Sequence, residues 1–179
     1  MMIFLYFLLI IVIIALIITI NSFISFIWLR VPFVTTPKWV IEKFVDKIDL
    51  KNNSIVYDLG CGDAKVLFAL EKKFPNLKLI GYELAWWPYV VAKLKIKLKK
   101  SKIKILHQNF YKANFSDADI IFCYLIDTVM PKLESQLKIQ LKPGAKVFSY
   151  GFKFPNWQPA EIIPNPLKPK GSKINFYQK

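Results

Sequence analysis

The chain of 179 residues is 54% hydrophobic, with a mean hydropathy of +0.33, yet it carries 26 Lys+Arg against 12 Asp+Glu, a formal net charge of +14. The two properties separate along the chain, because Met1 to Leu29 holds no charged side chain and Arg30 is the first. With only Cys61 and Cys123 as cysteines, this excludes a plain soluble protein, a multi-pass transporter, a disordered tail and a disulfide scaffold.

Met2 to Ile20 is an uncharged run broken only by the hydroxyls of Tyr6 and Thr19. At about 1.5 Å per residue it is long enough to cross a hydrocarbon core of roughly 30 Å, so it reads as a transmembrane helix. A cleaved signal peptide would need a basic start, a shorter apolar stretch and a small-residue cleavage site, and none of these is present. Phe23, Phe26 and Trp28, followed by Arg30, resemble an interfacial anchor. Arg30, Lys38, Lys43 and Lys47 all follow the span, so the positive-inside bias puts the rest of the chain in the cytoplasm and the N-terminus outside, as a single-pass membrane protein.

Residues 30–50 read as a linker and a pre-domain helix, and 51–179 as one further domain. Val31-Pro32-Phe33-Val34-Thr35-Thr36-Pro37 is stiffened by its prolines, and Thr36 followed by Pro37 predicts a helix start with Thr36 as N-cap. Trp39, Val40, Phe44, Val45 and Ile48 then give an amphipathic helix ending near Leu50. Beyond it the predicted elements alternate: strand 54–59, helix 64–74, strand 78–83, helix 86–100, strand 103–108, strand 119–124, helix 128–141 and strand 145–150. Such alternation implies an α/β fold, a parallel sheet covered on both faces. The proline-rich tail breaks it, with short strands near 161–163 and 174–177.

The most informative stretch is Ser54 to Lys65, an apolar strand that runs through Asp58-Leu-Gly60-Cys-Gly62-Asp into a helix. Such a turn lets backbone approach a ligand outside the carboxyl end of a strand, and Gly60 and Gly62 supply that approach. It lacks the Gly-Lys-Ser/Thr ending of a P-loop, and Lys65 stands where a dinucleotide fingerprint has its last glycine. Asp58 would repel a diphosphate but would pair with a cationic amino-acid ligand. Glu83 closes the next strand, about 20 residues on, where a carboxylate holds a ribose diol. Adenosine joined to a cationic amino acid without phosphate describes S-adenosyl-L-methionine.

Asp58-Leu-Gly-Cys-Gly-Asp63 resembles motif I of class I methyltransferases, and the order of elements resembles their Rossmann-like seven-stranded sheet, whose final strand is usually antiparallel. A closer resemblance is to the small membrane-anchored protein-lysine methyltransferases whose mitochondrial members modify the adenine nucleotide translocase and the ATP synthase c subunit. It rests on the apolar N-terminal helix, Val31 to Pro37, Asp58 to Lys65, Gly81-Tyr-Glu-Leu-Ala-Trp86, Asn109-Phe-Tyr-Lys112 and Phe152-Lys-Phe-Pro-Asn-Trp157, in that order. The resemblance implies that Asp58, Gly60 and Gly62 contact the methionine part, Glu83 the ribose hydroxyls and Asn109 the adenine amine, where the family often has Asp. It also implies that the segment around Thr36 lies against the cofactor pocket. Ala64 replaces a common third glycine and is expected to be tolerated because the helix has begun there.

Methyl transfer is an in-line displacement that asks the protein mainly to align the nucleophile and exclude water. Tyr124-Leu-Ile-Asp127 follows the fourth strand, where the acceptor enters in this fold; Tyr124 would orient the amine and Asp127 receive its proton, the plainer alternatives being a strand-end tyrosine and a helix N-cap. The Asn/Asp-Pro-Pro-Tyr-like sequence used on base amines is missing, which weakens a nucleobase reading. Lys93, Lys95, Lys97, Lys99, Lys100, Lys102 and Lys104 form a basic run, either a solvated face or an attraction to an anionic leaflet; nucleic acid is the weaker alternative. His107, Cys61 and Cys123 are too few for a metal site. The leading expectation is a membrane-anchored methyltransferase acting on a lysine of a membrane protein, with lipid or small-molecule methylation, or an inactive cofactor-binding scaffold, as competitors.

Overall fold

The computed structural model describes residues 2–29 and 34–179, with side chains for residues 2–20 and from Val34 onward. Arg30 and the Val31-Pro32-Phe33 part of the expected linker lie outside the described residues, as do the side chains of Phe23, Phe26 and Trp28. The first helix, α1 (Met2–Leu29), contains one stretch, Met2–Ile20, that is long and apolar enough to cross a membrane, and none of that stretch is buried against the protein. Within it the Thr19 hydroxyl donates back to the carbonyls of Ala15 and Leu16, at 3.1 and 2.9 Å. Its donor is therefore satisfied inside the helix, as lipid would require.

Helix α2 (Lys38–Lys47) buries Val40, Phe44 and Val45. It starts one residue later than the sequence suggests. Pro37, not Thr36, is the N-cap, with φ −60° and ψ 147°, and its carbonyl accepts from the N–H groups of Val40 and Ile41. A proline serves there because the N-cap N–H is not used in the helix, so the Thr36 hydroxyl makes no capping bond. The Phe44 ring lies 4.8 Å from both Phe122 and Phe148, which carries α2 into the core of the sheet.

The remaining elements are β1 (Ile55–Leu59), α3 (Lys65–Lys73), β2 (Lys78–Tyr82), α4 (Trp86–Lys99), β3 (Lys104–Leu106), β4 (Ile120–Cys123), α5 (Met130–Gln140), β5 (Lys146–Tyr150), β6 (Glu161–Ile163) and β7 (Ile174–Gln178). They form one seven-stranded sheet in the order β3-β2-β1-β4-β5-β7-β6. The first five strands pair in parallel, and β7 runs antiparallel to both β5 and β6. Period-two alternation sorts the strand residues into two cores: Val56, Ile120 and Phe122 pack with α2, α3 and α4, while Tyr57, Leu59, Ile121 and Cys123 pack with α5. No α-helix joins β3 to β4; a 3-10 turn, Phe110–Lys112, and the fully buried Phe115 fill that place, with Phe115 set edge-on to Tyr57 at 5.3 Å.

Two of the boundaries that differ from expectation have identifiable reasons. Strand β3 stops at Leu106 rather than Gln108 because β2, its one neighbour among the described residues, ends at Tyr82, the partner of Leu106. The last long helix begins at Met130, after a 3-10 turn at Asp127–Val129. Pro131 has no N–H with which to close a bond to the Asp127 carbonyl, so Met130 closes a tighter one instead. Because β1 has β2 on one side and β4 on the other, the chain reverses its direction of sheet growth between them. In an open α/β sheet the crevice beyond the carboxyl ends of such strands is where ligands bind.

Phe44→Ala is expected to cost about 3–5 kcal/mol in chemical denaturation. Ile139→Ser, at a position 84% exposed on α5, is expected to stay within about 0.5 kcal/mol.

Candidate active site

The residues singled out from the sequence gather along one edge of the sheet. Asp58 is the fourth residue of β1, Glu83 follows the last residue of β2, Asn109 comes shortly after β3, and Tyr124 follows the last residue of β4. The turn after β1 uses left-handed backbone at Gly60 (φ 75°), Gly62 (φ 55°) and Ala64 (φ 64°). A side chain at Gly60 would also set its Cβ 3.0 Å from Leu125 Cδ2. The expectation that the helix has begun at Ala64 is corrected: α3 starts at Lys65, and Ala64 is its N-cap in the left-handed region. Holding a non-glycine residue there costs on the order of 1 kcal/mol, which is why a glycine is the easier residue at this place.

Hydrogen bonds lock this turn to the neighbouring strand. Gly60 and Cys61 both donate to the Tyr82 carbonyl, at 2.9 and 3.0 Å. Glu83 accepts from Gly62 N–H through Oε2 at 2.8 Å and from Ala85 N–H through Oε1 at 2.7 Å, which ties the glycine turn to the start of α4. Gly81 is required by the same packing, since a Cβ there would lie 2.6 Å from Cys61 Sγ and 2.7 Å from Ile105 Cδ1.

Charge in this corner is unbalanced. Asp58 is only 3% exposed, and among the described residues no hydrogen bond reaches its carboxylate. Burial first, then Glu83 and Asp63, push its carboxyl well above the ordinary carboxylate range. Burial also raises Glu83, against the opposing pull of the N–H groups of Ala85, Gly62 and Leu84. Asp63 is neutralised by Lys95 at 2.7 Å and Lys65 at 3.6 Å. Asp58 is therefore a buried acid without an internal counter-charge, a position that favours a cationic ligand.

S-adenosylmethionine fits these residues. Its cationic methionine end supplies the charge that Asp58 lacks, and each Glu83 oxygen keeps a lone pair for a ribose hydroxyl beyond the backbone bond it already accepts. Asn109 Oδ1 accepts from Tyr111 N–H at 3.0 Å, which caps the 3-10 turn and fixes the amide beside the end of β3. Thr36 is half-buried just before α2.

Tyr124 is half-buried, its ring 4.6 Å from Tyr150, which in turn meets the edge of Trp39 at 5.6 Å. Burial and the neighbouring Tyr150 raise the Tyr124 hydroxyl, so at neutral pH it is a protonated hydrogen-bonding group rather than a base. Asp127 is exposed, and its Oδ1 accepts from the adjacent Thr128 N–H at 2.8 Å. It opens the 3-10 turn and does not cap α5, so the N-cap alternative is corrected. Sequence reasoning did not assign Trp39, Tyr150 or Lys95 a place here. Lys95 was hidden in a uniform lysine run, and the aromatic pair comes from α2 and β5, which the chain order does not link to Tyr124. His107 stacks on Tyr89 at 4.8 Å, with Nε2 2.9 Å from the Leu84 carbonyl. Among the described residues no group of three or more His, Cys, Asp or Glu is arranged to hold a metal.

The fold and this edge define a class I S-adenosylmethionine-dependent methyltransferase. The chain belongs to the family described as the ANTKMT methyltransferase domain, which matches residues 58–161. It is 30% identical over 136 residues to a protein-lysine N-methyltransferase of Saccharolobus islandicus, covering 75% of this chain and 84% of that protein. It is 31% identical over 138 residues to the lysine N-methyltransferase of the ATP synthase c-subunit from Xenopus laevis, covering 74% of this chain and 57% of the frog protein. The adenine nucleotide translocase lysine N-methyltransferase of Mus musculus is 27% identical over 138 residues, at 75% and 59% coverage. Among solved structures, an RNA methyltransferase from Salinibacter ruber in complex with S-adenosyl-L-homocysteine superposes with a TM-score of 0.73 at 24% identity, over 81% of this chain and 93% of that one. At that identity the likeness concerns the fold.

A carboxyl that holds its proton more tightly folded than unfolded favours the folded state below its ordinary value of 3.8, and that advantage is lost as pH rises through the raised value. Asp58→Asn is therefore expected to raise the melting temperature of the ligand-free protein at pH 7, with no gain below about pH 4. The same variant is expected to weaken S-adenosylmethionine binding at least about tenfold by calorimetry, the loss of one charge-assisted contact. Gly81→Ala is expected to cost about 1–3 kcal/mol by overpacking, part of it recovered when Cys61→Ala is added.

Proposed function

We propose that this methyltransferase acts on the ε-amine of a lysine in a membrane protein, close to the cytoplasmic face of the bilayer in which α1 is anchored. The observation that carries this reading is the match of three-quarters of the chain to proteins named as lysine methyltransferases, one of them spanned over 84% of its length. An N-terminal stretch apolar enough to span a membrane, with no charged side chain before Arg30 and with Lys38, Lys43 and Lys47 after it, supports the location and orientation.

The cofactor supplies a methyl group on a sulfonium, already activated for displacement. In this reading Asp58, Gly60, Gly62 and the segment at Thr36 hold its methionine end, Glu83 its ribose and Asn109 its adenine. The lysine enters beside Tyr124, whose neutral hydroxyl accepts from the amine and sets its lone pair in line with the methyl carbon. The attacking amine must first lose a proton; the aromatic wall of Tyr124, Tyr150 and Trp39 lowers its pKa by excluding water. Asp127, exposed at the rim, takes that proton to solvent.

Tyr124→Phe is expected to lower kcat about ten- to hundredfold, the effect of one lost hydrogen bond, with cofactor affinity unchanged. Incubating membranes with methyl-labelled cofactor and the full chain is expected to label protein, with methyl-lysine found by mass spectrometry. Label confined to the lipid extract would overturn the lysine reading, and cofactor binding with no label in either fraction would leave a scaffold.

A further inference from the structure

We infer that the outward face of α4 lies in the plane of the membrane, seated on an anionic lipid surface beside the anchor helix. Trp86, Val90, Leu94 and Leu98 recur every fourth residue, and Trp87 and Val91 run beside them, so these six share one side of the helix. The opposite side buries Pro88 and Ala92 against the core. On the outward side Trp86 is 49% exposed, Leu94 56% and Leu98 74%. A soluble domain rarely leaves an apolar ridge of this length in water.

The surrounding charges identify what covers it. Lys95 is turned to Asp63, and Lys99 sits 4.5 Å over the Phe68 ring, so both are engaged within the domain. Lys93 and Lys97, each one position before Leu94 and Leu98, border the ridge, are exposed, and form no ion pair among the described residues. An apolar strip with tryptophans at one end and unpaired lysines along its margin is complementary to the acyl boundary and anionic headgroups of a bilayer. An RNA surface would match the lysines but leave the leucines in water. The strip also lies on the helix that the anchor approaches, because the backbones of α1 and α4 come close to each other.

The inference rests on the reading of α1 as a membrane span, and it refines where the acceptor is found. Trp86 and Trp87 open α4 three and four residues after Glu83, so a docked α4 holds the carboxyl edge of the sheet at the lipid surface. Only a lysine at the shallow interface would then reach Tyr124.

The full chain, placed in nanodiscs of phosphatidylcholine and phosphatidylglycerol, tests this with an environment-sensitive fluorophore on Leu98→Cys and, as a control, on Ile139→Cys. Cys61 and Cys123 are buried and do not compete for the label. Doxyl-labelled lipid is expected to quench the Leu98 probe at least threefold and the Ile139 probe hardly at all, and Lys93→Glu with Lys97→Glu is expected to reduce the quenching. An unquenched Leu98 probe on a chain that still floats with vesicles in high salt overturns the docking and leaves the anchor intact. A blue-shifted but unquenched probe overturns it in favour of a second copy or another protein on this face. A chain that does not float removes the anchor reading, and the docking with it.

Discussion

Two buried carboxylates at the carboxyl ends of adjacent strands, Asp58 and Glu83, are the constraint around which the site is built. Glu83 is held by backbone N–H groups from two directions, Gly62 in the turn after β1 and Ala85 at the head of α4. That requires the turn to fold back over β2, which in turn requires left-handed backbone at Gly60 and Gly62 and a missing side chain at Gly81. Asp58 receives no such support from the described residues, and a ligand cation is the partner that resolves it. The folded chain is thus poised by charge for the cofactor class it uses.

The sheet is built economically on one of its faces. Helices α2, α3 and α4 cover one side, while the other has α5 and irregular chain, where Phe115, Phe154 and Trp157 do the covering. Aromatic side chains bury much area per residue, which lets a short chain close its core without a helix between β3 and β4. Helix α2 belongs to the same core through Phe44. Its N-terminal residue Trp39 therefore meets Tyr150, whose ring in turn lies against Tyr124.

The high charge and the high apolar content, which divide at Arg30 along the chain, meet again on α4. Lysines and leucines alternate there, and folding sorts them: some lysines turn inward to Asp63 and Phe68, while leucines and tryptophans remain outside. The net charge of +14 is consequently a poor guide to surface potential at this helix. A simple amphipathic pattern is also missing from α4, because both of its faces are apolar.

Local order determined a good deal of this protein. The uncharged run of Met2 to Ile20, the alternation of strands and helices, and the strand–glycine–helix spacing of Asp58, Gly60, Gly62 and Glu83 are short-range patterns, and they prescribed the apolar N-terminal helix, the sheet and the class of cofactor before any contact was known. Element ends were less legible, since they depend on a partner: β3 stops where β2 stops, and α5 waits for a residue that can donate past Pro131. The pairing of Lys95 with Asp63, the placement of Tyr150 and Trp39 beside Tyr124, and the outward apolar face of α4 were decided only by the tertiary structure. Each depends on which groups meet across the fold from distant parts of the chain, and neither spacing nor composition carries that information.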